Sequence, residues 1–187
     1  MIVTFTGHRP PKLGGYKYNP ITEWVTQKTY EIILDLAQKF SPDLEFRSGC
    51  ALGFDQIAAW TMQLVQSVGY NPKLVLYMPY PSYGSNWPLK SQTHLNHLIE
   101  SVADDVIYVS GDPHSNEKIH LRNQEMIKGA DLVIACWDGS RGETKNTIQL
   151  ALKKCNVLRI NPANKSVGML HTNHKTKFRQ LPLWSLE

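Results

Sequence analysis

Residues 131–151, DLVIACWDGSRGETKNTIQLA, join a short apolar run to a glycine-containing turn and an amphipathic helix. The apolar run at 132–137 has the length of a strand buried on both faces, as in a parallel sheet. Apolar residues at 148–152 fall on one helical stripe, and Thr144 is the predicted N-cap. Such a strand, turn and helix N-terminus direct N–H groups and a helix dipole toward one point, which suits an anion. An ordinary βα connection has the same pattern and remains an alternative.

Strand and helix patterns alternate about six times along the chain. This alternation predicts an α/β fold, a Rossmann-like three-layer sandwich with a mostly parallel sheet and helices on both faces. The predicted strands are 2–6, 44–47, 73–78, 106–109, 132–137 and 157–160. The predicted helices are 21–40, 55–68, one that carries His94 and His97, 119–131 and 144–154. We assign residues 1–162 to one nucleotide-binding domain and 163–187 to a basic extension, either flexible or docked through Trp184.

Length and composition favour one globular domain. The chain has 187 residues, 42% hydrophobic and 19% charged, and no apolar segment approaches the ~20 residues that cross a bilayer. The N-terminus runs straight into a strand pattern without a basic leader, and three cysteines are an odd set, so we expect a reduced cytoplasmic protein. His94 and His97 stand three apart without further metal-binding partners, so neither a metal site nor a cofactor is expected.

Charge is distributed unevenly. Eight Lys or Arg but only one acid, Glu187, fall within 144–187, whereas residues 1–143 are net negative. A basic segment attracts phosphates on a nucleotide or a nucleic acid. For 163–180 we favour a solvated tail, because its charges lie among Ser, Asn, His and Thr without interleaved aromatic residues.

Four predicted strands end in polar or glycine-rich loops, at 7–9, 48–53, 79–87 and 138–144. In open parallel sheets ligands bind beyond the carboxyl ends of the strands, so these loops predict a nucleotide-sized pocket. A purely structural role remains an alternative to ligand binding at three points. His8 and Arg9 are then solvated, Asp55 caps a helix, and Trp87 packs on the domain. The ligand-binding candidates are Gly7, His8, Arg9, Ser48, Gly49, Cys50, Gly53, Asp55, Pro79, Trp87, Asp138, Gly139, Ser140, Gly142 and Thr144.

Three ordered motifs carry a resemblance over residues 1–162. They are FTGHRP at 5–10, SGCALGFD at 48–55, and the segment that runs from Arg122-Asn123 to WDGSRGET at 137–144. With these motifs the chain resembles the YpsA-type branch of the SLOG superfamily. The resemblance implies a Rossmann-like domain that binds nucleotides or their derivatives, and it adds Arg122 and Asn123 to the ligand-binding candidates. Relatives in that superfamily include the LOG phosphoribohydrolases, the single-strand DNA-binding DprA proteins and sensors of NAD-derived signals.

Comparison with the LOG enzymes bears on catalysis. His120-Leu121-Arg122-Asn123 is similar to their His-x-Arg-Lys stretch, which places Arg122 on their active-site arginine. If Thr144 matches the threonine of their second motif, their catalytic glutamate falls on Asn146. Cleavage of an N-glycosidic bond passes through a cationic sugar and requires a carboxylate. The resemblance therefore implies catalytic candidates Arg122, Asp55 and Glu143, with Asp138 as a further substitute.

Three functional hypotheses follow. The first is a nucleotide or NAD- or ADP-ribose-like ligand bound as a signal or for sequestration, with 139–144 on phosphate, Arg9 and Arg122 as neutralising charges, and 48–55 on ribose. The second is hydrolysis of nucleoside monophosphates. The third is single-stranded nucleic-acid binding, which the net negative charge of 1–143 disfavours. A homodimer is expected from the resemblance, and no membrane partner is expected.

Overall fold

The computed structural model describes residues 1–172. They form one seven-stranded sheet in the order β4-β3-β2-β1-β5-β6-β7, in which only β7 runs antiparallel to its neighbour. The α/β Rossmann-like prediction is thus confirmed. The strands are β1 Ile2–Gly7, β2 Glu45–Ser48, β3 Lys73–Met78, β4 Asp105–Tyr108, β5 Leu132–Cys136, β6 Asn156–Asn161 and β7 Ser166–Leu170. The helices are α1 Pro20–Phe40, α2 Phe54–Ser67, α3 Leu89–His97, α4 Asn116–Ile127 and α5 Glu143–Ala151, with a 3-10 turn at Pro10–Leu13 and a π-helical turn at Leu98–Val102.

The direction of the chain reverses across the middle of the sheet. From β1 it moves outward through β2 and β3 to β4, and then returns over α4 to place β5 on the other side of β1. β1 and β5 pair in parallel from Val3 opposite Leu132 to Gly7 opposite Cys136. Both strands therefore end at the same edge, where their loops diverge. This strand-order reversal creates a crevice at the carboxyl edge of the sheet.

Each face of the sheet has its own core, because successive side chains of a strand point to opposite faces. On one face Phe5 stacks on Phe46 at 5.2 Å between ring centroids and meets Phe54 of α2 edge-on at 6.2 Å. On the other face Val133 and Ala135 of β5 pack with apolar residues of α4 and α5. Helices thus cover both faces, as the alternating pattern predicted.

Two local predictions near β5 are corrected. Thr144 is not the N-cap of α5, because the helix begins at Glu143 and Gly142 is the cap residue with φ 139°. The Thr144 hydroxyl instead donates to the carbonyl oxygen of Gly7 at 3.1 Å. The helix ends at Ala151 rather than at 154.

The segment after β6 also differs from the prediction. Residues 166–170, assigned to a solvated tail, form β7 at the edge of the sheet, half-buried or exposed along its length. The strand was missed because Asn161-Pro162 resembles a strand end and because β7 contains Ser and Gly. Thr172 continues the attachment, since its hydroxyl donates to the Leu152 carbonyl at 2.7 Å. The expected role of Trp184 lies outside the described residues.

Candidate functional site

The end of β1 is held by the loop that follows β5. The backbone N–H of His8 donates to the Cys136 carbonyl at 3.0 Å, and the Thr144 hydroxyl donates to Gly7. Gly7 is required here, because a Cβ would overlap the Phe54 ring at 2.5 to 2.7 Å. Two of the predicted ligand loops are therefore braced against each other at the strand-order reversal.

His8 and Asp138 form the inner part of that brace. The buried His8 Nε2 lies 2.8 Å from Asp138 Oδ1 and 3.0 Å from the Asp138 backbone nitrogen. It donates to the carboxylate when it carries a proton and accepts from the backbone N–H when it does not. Burial lowers the pKa of His8, and the neighbouring carboxylate opposes that shift. Burial raises the pKa of Asp138, but hydrogen bonds from Ser140 and His8 outweigh it and leave the pKa below its usual range. Asp138 thus stays ionised and holds the loop.

The N-terminus of α5 lies next to this loop. Gly142 provides no side chain, and no other side chain of residues 1–172 caps the helix. Asn19 caps α1 and Ser115 caps α4 with side-chain oxygens, whereas α2 at Gly53 and α3 at Pro88 also lack a side-chain cap. The first-turn N–H groups of α5 are therefore available to an anion.

Two charged contacts surround the open helix end. Lys12, from the turn after β1, contacts the Ser140 hydroxyl through its ammonium group. Glu143 is 63% exposed, and its carboxylate lies 3.2 Å from His120 Nδ1. Lys12 escaped the sequence analysis because it lies beyond the 7–9 loop that we assigned to ligand contacts. Its proximity to residue 140 depends on the pairing of β1 with β5.

Arg122 is a buried connector. Only 2% of it is exposed, and its Nη1 donates to the Gly49 carbonyl and, at 3.4 Å, to the Tyr77 carbonyl. Its Nε donates to Asn123 Oδ1 at 2.9 Å. A Cβ on Gly49 would overlap the guanidinium, so glycine is needed at that position. Arg122 thus ties α4 to the loop after β2 and to the end of β3.

Asp55 lies in the same buried region. It is 6% exposed, and burial raises the pKa of its carboxyl group, while the charges of Arg122 and Arg9 oppose that rise. The N–H groups of Ala51 and Gly7 also oppose it. The Asp55 carboxylate therefore faces the ends of β1 and β2 and does not extend into solvent.

Ser48, Cys50 and Gly53 have internal roles as well. The Ser48 hydroxyl donates to the Asp55 carbonyl at 2.9 Å and accepts from the Cys50 N–H at 3.2 Å. Burial raises the pKa of Cys50 to about 12, so its thiol stays neutral. Gly53 has φ 107°, and a Cβ there would collide with the His8 carbonyl.

A cavity of about 290 Å³, the aromatic pocket, opens beside Arg9. Its rings come from the loop after β3: Tyr80 meets Tyr83 edge-on at 5.6 Å, and Tyr83 meets Trp87 at 5.1 Å. The pocket is lined by Arg9, Tyr80, Ser82, Tyr83, Gly84, Ser85, Asn86, Trp87, His114 and Ile119. Pro79 does not line it. The hydroxyl of Tyr83 is buried and has no hydrogen-bond partner among residues 1–172.

The predicted residues therefore divide into three groups. The 138–144 loop and the start of α5 form one corner, Arg9 and Trp87 line the aromatic pocket, and Arg122 with Asp55 lies buried between strand ends. The guanidinium carbon of Arg122 is 6.0 Å from the centroid of the Tyr83 ring. Sequence reasoning missed His114 of the pocket, which follows β4, because no motif distinguishes it.

Metal-binding clusters and membrane-spanning helices are both absent from residues 1–172. That range contains no group of three or more His, Cys, Asp and Glu side chains placed to hold a metal ion. Within the same range no helix is long and apolar enough to cross a membrane.

Fold and site together define a Rossmann-like α/β protein with a candidate ligand site where the strand order reverses. The chain belongs to the YpsA family, described as the YspA SLOG family, whose profile matches residues 3–161. This confirms the resemblance found in the motifs. The chain is 27% identical over 146 residues to the uncharacterized SPbeta prophage-derived protein YoqJ of Bacillus subtilis (strain 168). The match covers 72% of this chain and 84% of YoqJ.

A solved structure supports the fold. DNA processing protein A from Helicobacter pylori, described for its unique single-stranded DNA binding mode, aligns with TM-score 0.55 and 18% identity. The alignment covers 82% of this chain and 61% of that protein. At this identity the likeness concerns the fold alone, and the chain spans less than two thirds of its neighbour.

Proposed function

We propose that the protein binds a nucleotide or a nucleotide-derived molecule, such as a nucleoside phosphate, NAD or an ADP-ribose-like compound, and acts as a sensor, a sequestering protein or a regulator. The observation that carries the proposal is the uncapped N-terminus of α5 at the strand-order reversal, adjoining a loop held by His8 and Asp138. An anion at a helix N-terminus accepts hydrogen bonds from several backbone N–H groups and is attracted by the positive end of the helix dipole.

The phosphate position follows from the surrounding groups. Lys12 contacts Ser140 at the same loop, so an ammonium group is near the open helix end. Gly139 and Gly142 have φ of 99° and 139°, and so expose the loop backbone without side chains. Asp138 and Glu143 also lie there, where Asp138 contacts His8 and Ser140 and Glu143 contacts His120. The corner therefore offers donors to a phosphate.

The aromatic pocket supplies the second part of the proposal. Its volume of about 290 Å³ suits a single planar ring system with part of its sugar, and the half-buried Trp87, which packs on the buried Tyr83, supplies an aromatic ring for a base. Arg9 lines the pocket and directly follows His8, which contacts Asp138, so its guanidinium is a candidate partner for a phosphate near the pocket. The unpaired Tyr83 hydroxyl lacks a partner that a bound polar group would supply.

The test is a ligand panel of AMP, GMP, NAD, ADP-ribose and cyclic ADP-ribose, followed by thermal shift and mass spectrometry. A ligand that binds the native state raises its apparent stability, and we expect recovery of the stabilising compound intact. Lys12→Ala and Arg9→Ala should each weaken that binding about tenfold, as expected for the loss of a charged hydrogen bond. Lys73→Ala is the matched control, since Lys73 is exposed at the opposite end of β3. Equal binding by all three variants contradicts the proposal.

A hydrolase is the second candidate, and the observation in its favour is Asp55. Burial raises the pKa of this carboxyl group, as a general acid requires, and Arg122 lies close enough to affect it. Glu143, the other carboxylate candidate, is exposed and paired with His120. The hydrolase hypothesis predicts release of free base from a nucleoside monophosphate and loss of that release in Asp55→Asn with binding retained. Intact recovery of every compound in the panel rules it out.

Single-stranded nucleic-acid binding is the third candidate, favoured by the fold shared with DNA processing protein A and by the exposed tyrosines described below. The measurement is fluorescence anisotropy of a labelled dT20 oligonucleotide at 50 and 200 mM salt. Neutralised phosphates release counterions, so true backbone binding must weaken steeply over that range. Binding that is absent at 50 mM salt removes this candidate.

A further inference from the structure

A second cavity lies next to the aromatic pocket. This tyrosine groove has a volume of about 500 Å³ and runs between the loop at 14–18, α1, α2 and α3. Arg9 lines the aromatic pocket, and the next residue, Pro10, lines the groove. Gly53 also lines the groove, and an added Cβ there would lie 2.9 Å from Arg9 Cα. Consecutive residues, Arg9 and Pro10, thus line the two cavities.

Three aromatic residues, Tyr16, Tyr18 and Trp60, line the groove. Tyr16 and Tyr18 are 74% and 75% exposed, a large apolar area to leave in water on one short loop. Trp60, from α2, lines the wall between them and α3. Its orientation is fixed, because it stacks on His97 at 4.9 Å with an interplanar angle of 4° and meets His94 edge-on at 5.8 Å. The groove thus combines one held ring with two exposed ones, a surface suited to a planar ligand.

From this geometry we infer that the ligand of the protein carries two aromatic rings joined through phosphate, one ring in the aromatic pocket and the other in the tyrosine groove. The inference rests on the proposed nucleotide binding and extends it from one subsite to two. In this arrangement Arg9, which lines the aromatic pocket next to Pro10, faces the bridging phosphates, and Lys17 lines the groove. A free dinucleotide and two successive bases of a single strand share this chemistry. Their rings stack on aromatic faces without sequence preference.

The experiment compares AMP, NAD and the dinucleotide dTpdT by isothermal titration calorimetry. The variant is Tyr16→Ala/Tyr18→Ala, whose two side chains are mostly exposed, so the fold tolerates their loss. Tyr108→Ala is the control, because Tyr108 is 49% exposed and lines neither cavity. We expect the wild type to bind NAD or dTpdT at least about tenfold tighter than AMP. The double variant should lose about five- to a hundredfold of that affinity while its AMP binding stays within twofold.

The outcomes separate this inference from the proposal beneath it. If AMP binds and NAD and dTpdT bind no tighter, or if the double variant weakens all ligands equally, the second subsite is refuted and single-site binding survives. If none of the three binds, the proposed function falls and the inference with it. A selective loss for NAD identifies a free dinucleotide as the source of the second ring, and a selective loss for dTpdT identifies a nucleic-acid strand.

Discussion

Replacing Arg122 by Met should destabilise the protein by about 3–5 kcal/mol, the usual cost of removing one of two interacting buried charges. The guanidinium is buried, contacts the Gly49 carbonyl and reaches the Tyr77 carbonyl at 3.4 Å. The first contact, a charged hydrogen bond, accounts for about 1.5–3 kcal/mol. The remainder comes from Asp55, whose buried carboxylate loses the largest charge that opposes its raised pKa. Methionine keeps most of the apolar volume, so cavity formation contributes little.

Urea unfolding followed by tryptophan fluorescence measures the change. With a denaturant dependence of about 2 kcal/mol per molar urea, the midpoint should fall by about 2 M. The cycle with Asp55→Asn isolates the pair, because the second substitution removes the carboxylate that needs the cation. We expect the double variant to be more stable than the sum of the two single losses predicts. A loss below about 1 kcal/mol in Arg122→Met, or strict additivity in the cycle, would refute a buried electrostatic connector.

Three further predictions concern pH, backbone and thiols. Burial raises the pKa of Asp55, so the native state binds an extra proton and the free energy of unfolding falls as pH rises from the ordinary 3.8 toward the raised value. Asp55→Asn should remove this pH dependence in urea titrations between pH 4 and 7. An unchanged dependence would assign it to other groups. Gly7→Ala should lower the free energy of unfolding by about 1–3 kcal/mol, because the added Cβ overlaps Phe54. Gly111 has open space around it, so Gly111→Ala should stay within about 0.5 kcal/mol of the wild type. Equal losses in the two variants would contradict the contact. All three cysteines are buried free thiols with raised pKa values. A disulfide reagent should therefore modify none of them within minutes in the native protein and all three in urea. Rapid labelling of the native protein would disprove their burial.

Much of the fold could be read from local pattern. The limits of β3, Lys73–Met78, and the end of α1 at Phe40 agree with the prediction, because apolar periodicity and flanking Pro or Gly act within a few residues. β7 could not be read in the same way, since an edge strand is recognised by its partner and not by its own burial. Thr144 was misplaced for a similar reason: its hydroxyl has a better acceptor in Gly7, which is distant in sequence.

For the candidate site, sequence alone determined which loops meet at the carboxyl edge, because the alternation of strands and helices sets the direction of every strand. Tertiary structure alone decided what each side chain does there. Arg122, which the motif presented as a ligand-facing arginine, is enclosed by Gly49, Tyr77 and Asn123, whereas Lys12, which belongs to no motif, reaches Ser140. Burial and hydrogen-bond partners depend on residues that are far apart in the chain and adjacent only after β1 pairs with β5.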